Sequence, residues 1–210
     1  MNKFILLTLL AVVASRNIVL VGDSRFVGMA CYVMGFSYSS TITSSSSRSY
    51  NGDKFHVTAK EGASATAFRS GSNLYNSIVN QIKSFSSPKV VFWLGINDLS
   101  SVESTIQLYS SLARAHPSAS FYAISVLGVN ESKVPQIRNS NVHSFNNKIS
   151  SKISGLGLSN LKYRSIVNGN DVTTIIVGGK KVSILGYSSD GLHYSASGYR
   201  EIWSAMNQKI

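Results

Sequence analysis

Cysteine occurs once in the 210 residues, at position 31. No intramolecular disulfide can form, so a hydrophobic core must hold the fold. Cys31 sits in an apolar stretch and is expected inside that core. Charge is scarce as well, at 14% of residues, and acid is scarcer: 9 Asp and Glu stand against 20 Lys and Arg, a net of +11. Hydrophobic residues make up 43%, which excludes a disordered chain. The basic residues are scattered, with no block of five or six like charges. That excludes a concentrated nucleic-acid-binding stripe, and no nucleic-acid-binding module is recognisable, so no specific nucleic acid is expected as partner. A soluble basic surface is the plainest reading of the surplus. Attraction to anionic polymers, such as cell-wall glycans or acidic lipids, is the other.

No apolar run is long enough to span a bilayer. The longest, residues 4–13, is broken only by Thr8 and is far short of the roughly 20 residues a spanning helix needs. It follows the single positive charge of Lys3 and precedes Val13-Ala14-Ser15, a plausible cleavage point. This is the signal-peptide pattern. Residues 1–15 are therefore expected to be a cleaved leader, residues 16–210 one domain, and the protein secreted or extracellular. Asn130-Glu131-Ser132 is a glycosylation sequon in hosts that glycosylate secreted proteins.

Internal repeats and domain linkers are also missing. Short apolar runs alternate instead with helix-period segments. Strands are expected at residues 17–22, 54–59, 89–95, 121–126 and 161–166, and runs such as VVFWLG suit a parallel strand covered on both faces. Between them Leu74, Ile78, Ile82 and Phe85 fall on one helical stripe, as do Val102, Ile106, Tyr109 and Leu112, and Val142, Phe145, Ile149 and Ile153. A last helix, from about Ser195 onward, turns Ile202, Trp203 and Met206 inward. The alternation predicts an α/β fold, a three-layer α/β/α sandwich around a parallel sheet of about five strands. Two strand-like runs within residues 174–185 flank Gly178-Gly179 and predict an added β-hairpin, as an edge or as a flap near the site. Residues 41–49, rich in serine, are expected to form a loop.

In such a sheet, ligands bind beyond the C-terminal strand ends. Four polar clusters fall there: Asp23-Ser24, Glu61-Gly62-Ala63-Ser64, Gly95-Ile96-Asn97-Asp98, and Asp190-Gly191-Leu192-His193 before the last helix. Any one could be a helix cap or a turn; four together suggest one site. VGDS, a glycine after the second strand, GIND and DGLH, in this order and spacing, resemble the SGNH branch of the GDSL esterase and lipase family. The likeness runs from Val21 to His193, and GDSRFVGM, WLGINDL and SDGLHY are similar to its small secreted members. Arg25 stands where the family motif has leucine, which leaves the nucleophile position intact.

The resemblance implies a flavodoxin-like strand order 2-1-3-4-5 and a Ser-His-Asp triad of Ser24, His193 and Asp190. It assigns an oxyanion hole to the backbone amides of Ser24 and Gly62 and the side-chain amide of Asn97. The chemistry agrees. A serine at a strand-to-helix turn meets the amide hydrogens of a helix N-terminus, where negative charge is favoured. A histidine can take and return its proton, and an aspartate three residues earlier can fix the imidazole tautomer. An amide side chain donates hydrogen bonds without a titrating charge. Asp23 and Asp98 read as scaffolding that holds loops through backbone amides, and Arg25 as a partner of Asp98 or of substrate. His56, His116 and His143 lack metal-site spacing, Gly178-Gly179-Lys180-Lys181 lacks the phosphate-loop pattern, and no metal or cofactor is expected.

These residues lead to a secreted serine esterase acting through an acyl-enzyme, with short acyl groups on carbohydrate, O-acetyl esters above all, as the expected substrate. A lysophospholipase-like lipid esterase is the nearest alternative. It needs an apolar acyl groove, and Phe26, Met29, Tyr32 and Met34 read better as helix core. A non-catalytic glycan-binding protein on the same scaffold is the alternative from another class.

Overall fold

The computed structural model describes residues 15–210, so the expected leader lies outside the described residues except for Ser15. In chain order, β1 (Asn17–Gly22) leads into α1 (Ser24–Tyr32), and β2 (Thr41–Thr43), β3 (Arg48–Tyr50) and β4 (Asp53–Lys60) precede α2 (Asn73–Lys83). Then come β5 (Lys89–Trp93), α3 (Val102–Ala115), β6 (Ser120–Ile124), α4 (Asn139–Gly155) and β7 (Leu161–Arg164). Strands β8 (Val167–Asn168), β9 (Asp171–Val177) and β10 (Lys180–Ser183) precede the closing helix α5 (Ala196–Asn207).

The five parallel strands lie in the order β4-β1-β5-β6-β7, which is the expected 2-1-3-4-5. Strand β1 shows why both its faces are apolar. Ile18 and Leu20 pack under α1 and α5, while Val19 and Val21 pack under α2, α3 and α4. Two cores, one on each side of the sheet, make the three layers. Burying each such side chain is worth about 1.5–3 kcal/mol. The helices begin where polar caps allow: Ser72 accepts from the Tyr75 amide and Ser195 from the Gly198 amide. The predicted stripes are all buried on α3 and α4; on α2 the stripe ends at Ile82, because the helix stops before Phe85.

Three expectations change. Residues 41–49 are not all loop, since β2 and β3 both pair antiparallel with the outer edge of β4. The β-branched Thr-Ile-Thr outweighs the serines there, and Ile42 is buried. Asn51-Gly52 closes the β3–β4 hairpin with both residues left-handed, φ 49° and 83°, the primed-turn geometry that this pair favours. The hairpin at Gly178-Gly179 forms as expected but belongs to a separate three-stranded sheet, β10-β9-β8, packed on α4 and α5. It is neither an edge of the main sheet nor a flap. Cys31 is half-buried beside the core instead of inside it.

After β6 the chain runs buried but without regular structure through residues 125–129, so its backbone polar groups need side-chain partners. Asn146 serves Val126, accepting from its amide and donating to its carbonyl, both at 2.8 Å. Asn139 does the same for Val129, at 2.8 and 2.9 Å. The two carbonyls between them, of Leu127 and Gly128, are met by Arg25 of α1.

Helices α1 and α5 touch through Gly28. A Cβ at Gly28 would overlap the Tyr199 ring. Gly28→Ala should therefore lose about 1–3 kcal/mol, read as a lower urea midpoint at unchanged slope; an unchanged midpoint would show that the two helices separate freely.

Candidate active site

Gly22, Ala59 and Trp93 are register neighbours across β4-β1-β5. Ser24, Gly62 and Asn97 follow that common line by two, three and four residues, so all three leave the same edge of the sheet. Ser24 opens α1 behind the cap Asp23, whose carboxylate accepts from the Arg25 amide at 3.0 Å.

His193 arrives from the other end of the chain. Its Nε2 lies 2.9 Å from Ser24 Oγ, and its Nδ1 lies 2.7 Å from Asp190 Oδ2. Asp190 is itself tied down: Oδ1 accepts from the Leu192 and His193 amides at 2.8 and 2.7 Å and from the Ser188 hydroxyl at 3.2 Å. Burial alone would raise this carboxyl, but the His193 amide and imidazole and the Leu192 amide outweigh it and hold Asp190 well below the usual carboxylate range. An ionised carboxylate can only accept, so it keeps the imidazole proton on Nδ1 and leaves Nε2 to accept from Ser24. The structure thus joins Ser24, His193 and Asp190 in one hydrogen-bonded chain. It is open to solvent: the His193 and Asp190 side chains are 42% and 50% exposed.

Asn97 donates through Nδ2 to the Ala63 carbonyl at 3.1 Å, which ties the β5 exit to the turn that carries Gly62. One Nδ2 hydrogen is left over. Gly62 has φ 66°, and a Cβ there would meet open space. Neither the Ser24 nor the Gly62 amide has a hydrogen-bond acceptor among the described residues. Three donors thus stand unused around the strand ends.

Arg25 does not do what the sequence suggested. Its side chain reaches neither Asp98 nor solvent; the residue is 1% exposed. Its guanidinium donates to the carbonyls of Leu127 at 2.7 Å, Gly128 at 3.3 Å and Leu192 at 3.3 Å. The rings of Trp93 and Tyr194 flank it, with centroids 5.9 and 5.5 Å from Cζ. It therefore ties the turn of Ser24 to the loop of His193 through the segment after β6. Asp23 is the scaffold expected. Asp98 is one by its backbone instead: its carbonyl accepts from Ser101, and its side chain accepts only from the Ser100 hydroxyl among the described residues.

Beside Ser24 and His193 lies a cleft of about 640 Å³. Tyr32, Tyr38, Glu61, Tyr187 and Ser188 help to line it, whereas Asn97 faces a separate depression towards α4. None of β8, β9 or β10 reaches the cleft, but the turn after β10 does. Sequence reasoning missed this wall. Phe26, Met29 and Met34 are buried core as expected, while Tyr32 points out. The signal was its spacing, four residues after Gly28 on one face of α1.

No family model matches the sequence, and neither does any curated protein. Solved structures do match. A lipase/acylhydrolase from Enterococcus faecalis is 16% identical, with a TM-score of 0.57 over 92% of this chain and 94% of that one. A GDSL-like lipase from Bacteroides thetaiotaomicron is 17% identical, with a TM-score of 0.55 over 91% and 85%. Phospholipase A1 from Streptomyces albidoflavus is 18% identical, with a TM-score of 0.52 over 94% and 100%. The chain therefore has the fold of the GDSL-like lipases and acylhydrolases, over nearly its whole described length.

Burial pushes the Asp23 carboxyl up to about 6, against the pull of the Arg25 guanidinium and amide. The folded state then holds a proton that the unfolded chain releases at lower pH. Stability is full below the unfolded pKa and is lost as pH rises through about 6. The loss amounts to about 3 kcal/mol by pH 7. Asp23→Asn still caps α1 and should remove this dependence. Denaturant midpoints at pH 4 and pH 7 check it: the wild type should fall relative to the variant, and parallel curves would refute the buried, proton-holding carboxyl.

Proposed function

We propose that this protein is a carboxylic ester hydrolase of the SGNH kind, with Ser24 as nucleophile, His193 as base and Asp190 as the group that orients it. The observation that carries the proposal is the 2.9 Å approach of His193 Nε2 to Ser24 Oγ with Asp190 fixed behind Nδ1. Ser24 Oγ attacks the acyl carbon as its proton passes to His193 Nε2. The carbonyl oxygen becomes an oxyanion, which the Ser24 and Gly62 amides and Asn97 Nδ2 would receive. The intermediate collapses, the alcohol leaves with the proton from Nε2, and the acyl group stays on Ser24. Water then repeats the sequence and releases the acid.

Short-chain acyl esters of carbohydrate are the preferred substrate class. The neighbours in fold are named lipases, acylhydrolases and a phospholipase, which supports acyl transfer but spans several substrates. The buried Phe26, Met29 and Met34 argue against an acyl groove along α1. No described helix is long and apolar enough to cross a membrane. The pattern of residues 1–15 supports export of the domain after the leader is removed.

Hydrolysis of p-nitrophenyl esters from acetate to long chains tests the proposal. The acetate should be cleaved best, Ser24→Ala should abolish turnover, and Asn97→Ala should lower kcat by about 10²-fold or more. A preference for long chains would move the reading to a lipid esterase. Turnover that survives in Ser24→Ala would refute the nucleophile.

A further inference from the structure

The cleft beside the triad has a side. In the proposed reaction His193 Nε2 returns its proton to the departing oxygen, so the alcohol half of the ester must lie on the imidazole side. Of the proposed oxyanion donors, Asn97 faces a separate depression towards α4. The cleft contains Ser24 and His193 but neither Gly62 nor Asn97 in its lining. It is therefore on the alcohol side.

Its walls have a definite chemistry. Tyr32 and Tyr38 are 61% and 71% exposed, and among the described residues they are the exposed large hydrophobic side chains. Both line this one cleft. Both are held. Tyr32 stacks on Tyr199 at 17° between planes, with centroids 6.1 Å apart. The Tyr38 hydroxyl donates to Oε1 of Glu61, another residue of the cleft wall, at 2.9 Å. Two fixed aromatic faces, a carboxylate acceptor and the hydroxyls of Tyr187 and Ser188 suit a ligand with apolar C–H faces and many hydroxyls. No lysine or arginine lines the cleft, despite the net charge of +11, and its charged wall residue is the acidic Glu61. An anionic ligand would meet a like charge there, and the Lys133 ammonium that reaches a cleft residue is engaged on the Ser189 carbonyl at 2.8 Å.

We infer that this cleft is the subsite for the alcohol half of the ester and that it takes an uncharged sugar, with Tyr32 and Tyr38 as its platforms and Glu61 as the group that rejects uronates. The orientation rests on the esterase proposal; the ligand class rests on the cleft alone.

Two arms keep the two ideas apart. In the first, wild type is assayed on O-acetylated neutral oligosaccharides (xylo- and gluco-series) and on O-acetylated oligogalacturonide. The neutral esters should be favoured at least tenfold in kcat/KM, and Glu61→Gln should narrow that ratio. Tyr32→Ala and Tyr38→Ala should each lose at least fivefold more on the neutral sugar ester than on p-nitrophenyl acetate, and Tyr32→Phe should restore most of it. Equal or better use of the uronide, or equal losses on both substrates, would overturn the inference. In the second arm, deacetylated neutral oligosaccharides are titrated into Ser24→Ala by NMR. Binding that is lost in the Tyr32→Ala, Ser24→Ala double variant upholds the subsite even if wild type hydrolyses no ester. Absence of binding, or stronger binding of oligogalacturonide, overturns it.

Discussion

The Arg25 guanidinium is the permanent charge sealed inside the site, and the geometry around Ser24 depends on it. It sits next to the serine in sequence and reaches carbonyls at Leu127, Gly128 and Leu192. Those carbonyls belong to two segments that regular structure does not hold: the buried run after β6 and the loop that delivers His193. A buried carbonyl without a donor costs about 1–3 kcal/mol, so the three bonds decide where those segments can rest. Through Leu192 the cation fixes the residue just before His193, and so sets the imidazole against the hydroxyl. A leucine at this position could fill the space between Trp93 and Tyr194 but could donate nothing.

Around that anchor the electrostatics divide. Asp23 is buried and pushed towards its neutral form, while Asp190 is exposed, held by amides and kept ionised. Two carboxylates a short way from the same serine thus have opposite tendencies, set by environment. The one held firmly ionised is the one that backs the imidazole. Little of the net positive charge reaches the cleft: no lysine or arginine lines it, its charged wall residue is acidic, and Lys133 touches it only through the Ser189 carbonyl. Basic residues lie elsewhere on the surface, so a charge count over the whole sequence says little about what the cleft would accept.

Much of this was legible before the structure. Strands buried on both faces read as unbroken apolar runs, helices as stripes, and the residues from Ser24 to His193 as four clusters at strand ends. Geometry then brought Ser24, His193 and Asp190 together and tied Asn97 to the turn of Gly62. What was hidden depended on contacts remote in sequence. Arg25 bonds residues about a hundred and more positions away, and no local pattern announces a buried cation satisfied by carbonyls. Tyr32 looked like core because its helix is apolar nearly all round, and only the packing of α5 shows which face is left open. Residues 41–49 were misread for a different reason. Their serines suggested a loop, while Thr-Ile-Thr and the Asn51-Gly52 turn carried the opposite signal in plain view.

The central claim is that Ser24 is an activated nucleophile. Intact-mass analysis after exposure to a fluorophosphonate tests it most directly, with peptide mapping of the product and His193→Ala in parallel. The account predicts a single adduct on the peptide that contains Ser24, formed quickly in the wild type and at least a hundredfold more slowly in His193→Ala. No adduct, an adduct elsewhere, or equal labelling of both proteins would contradict it.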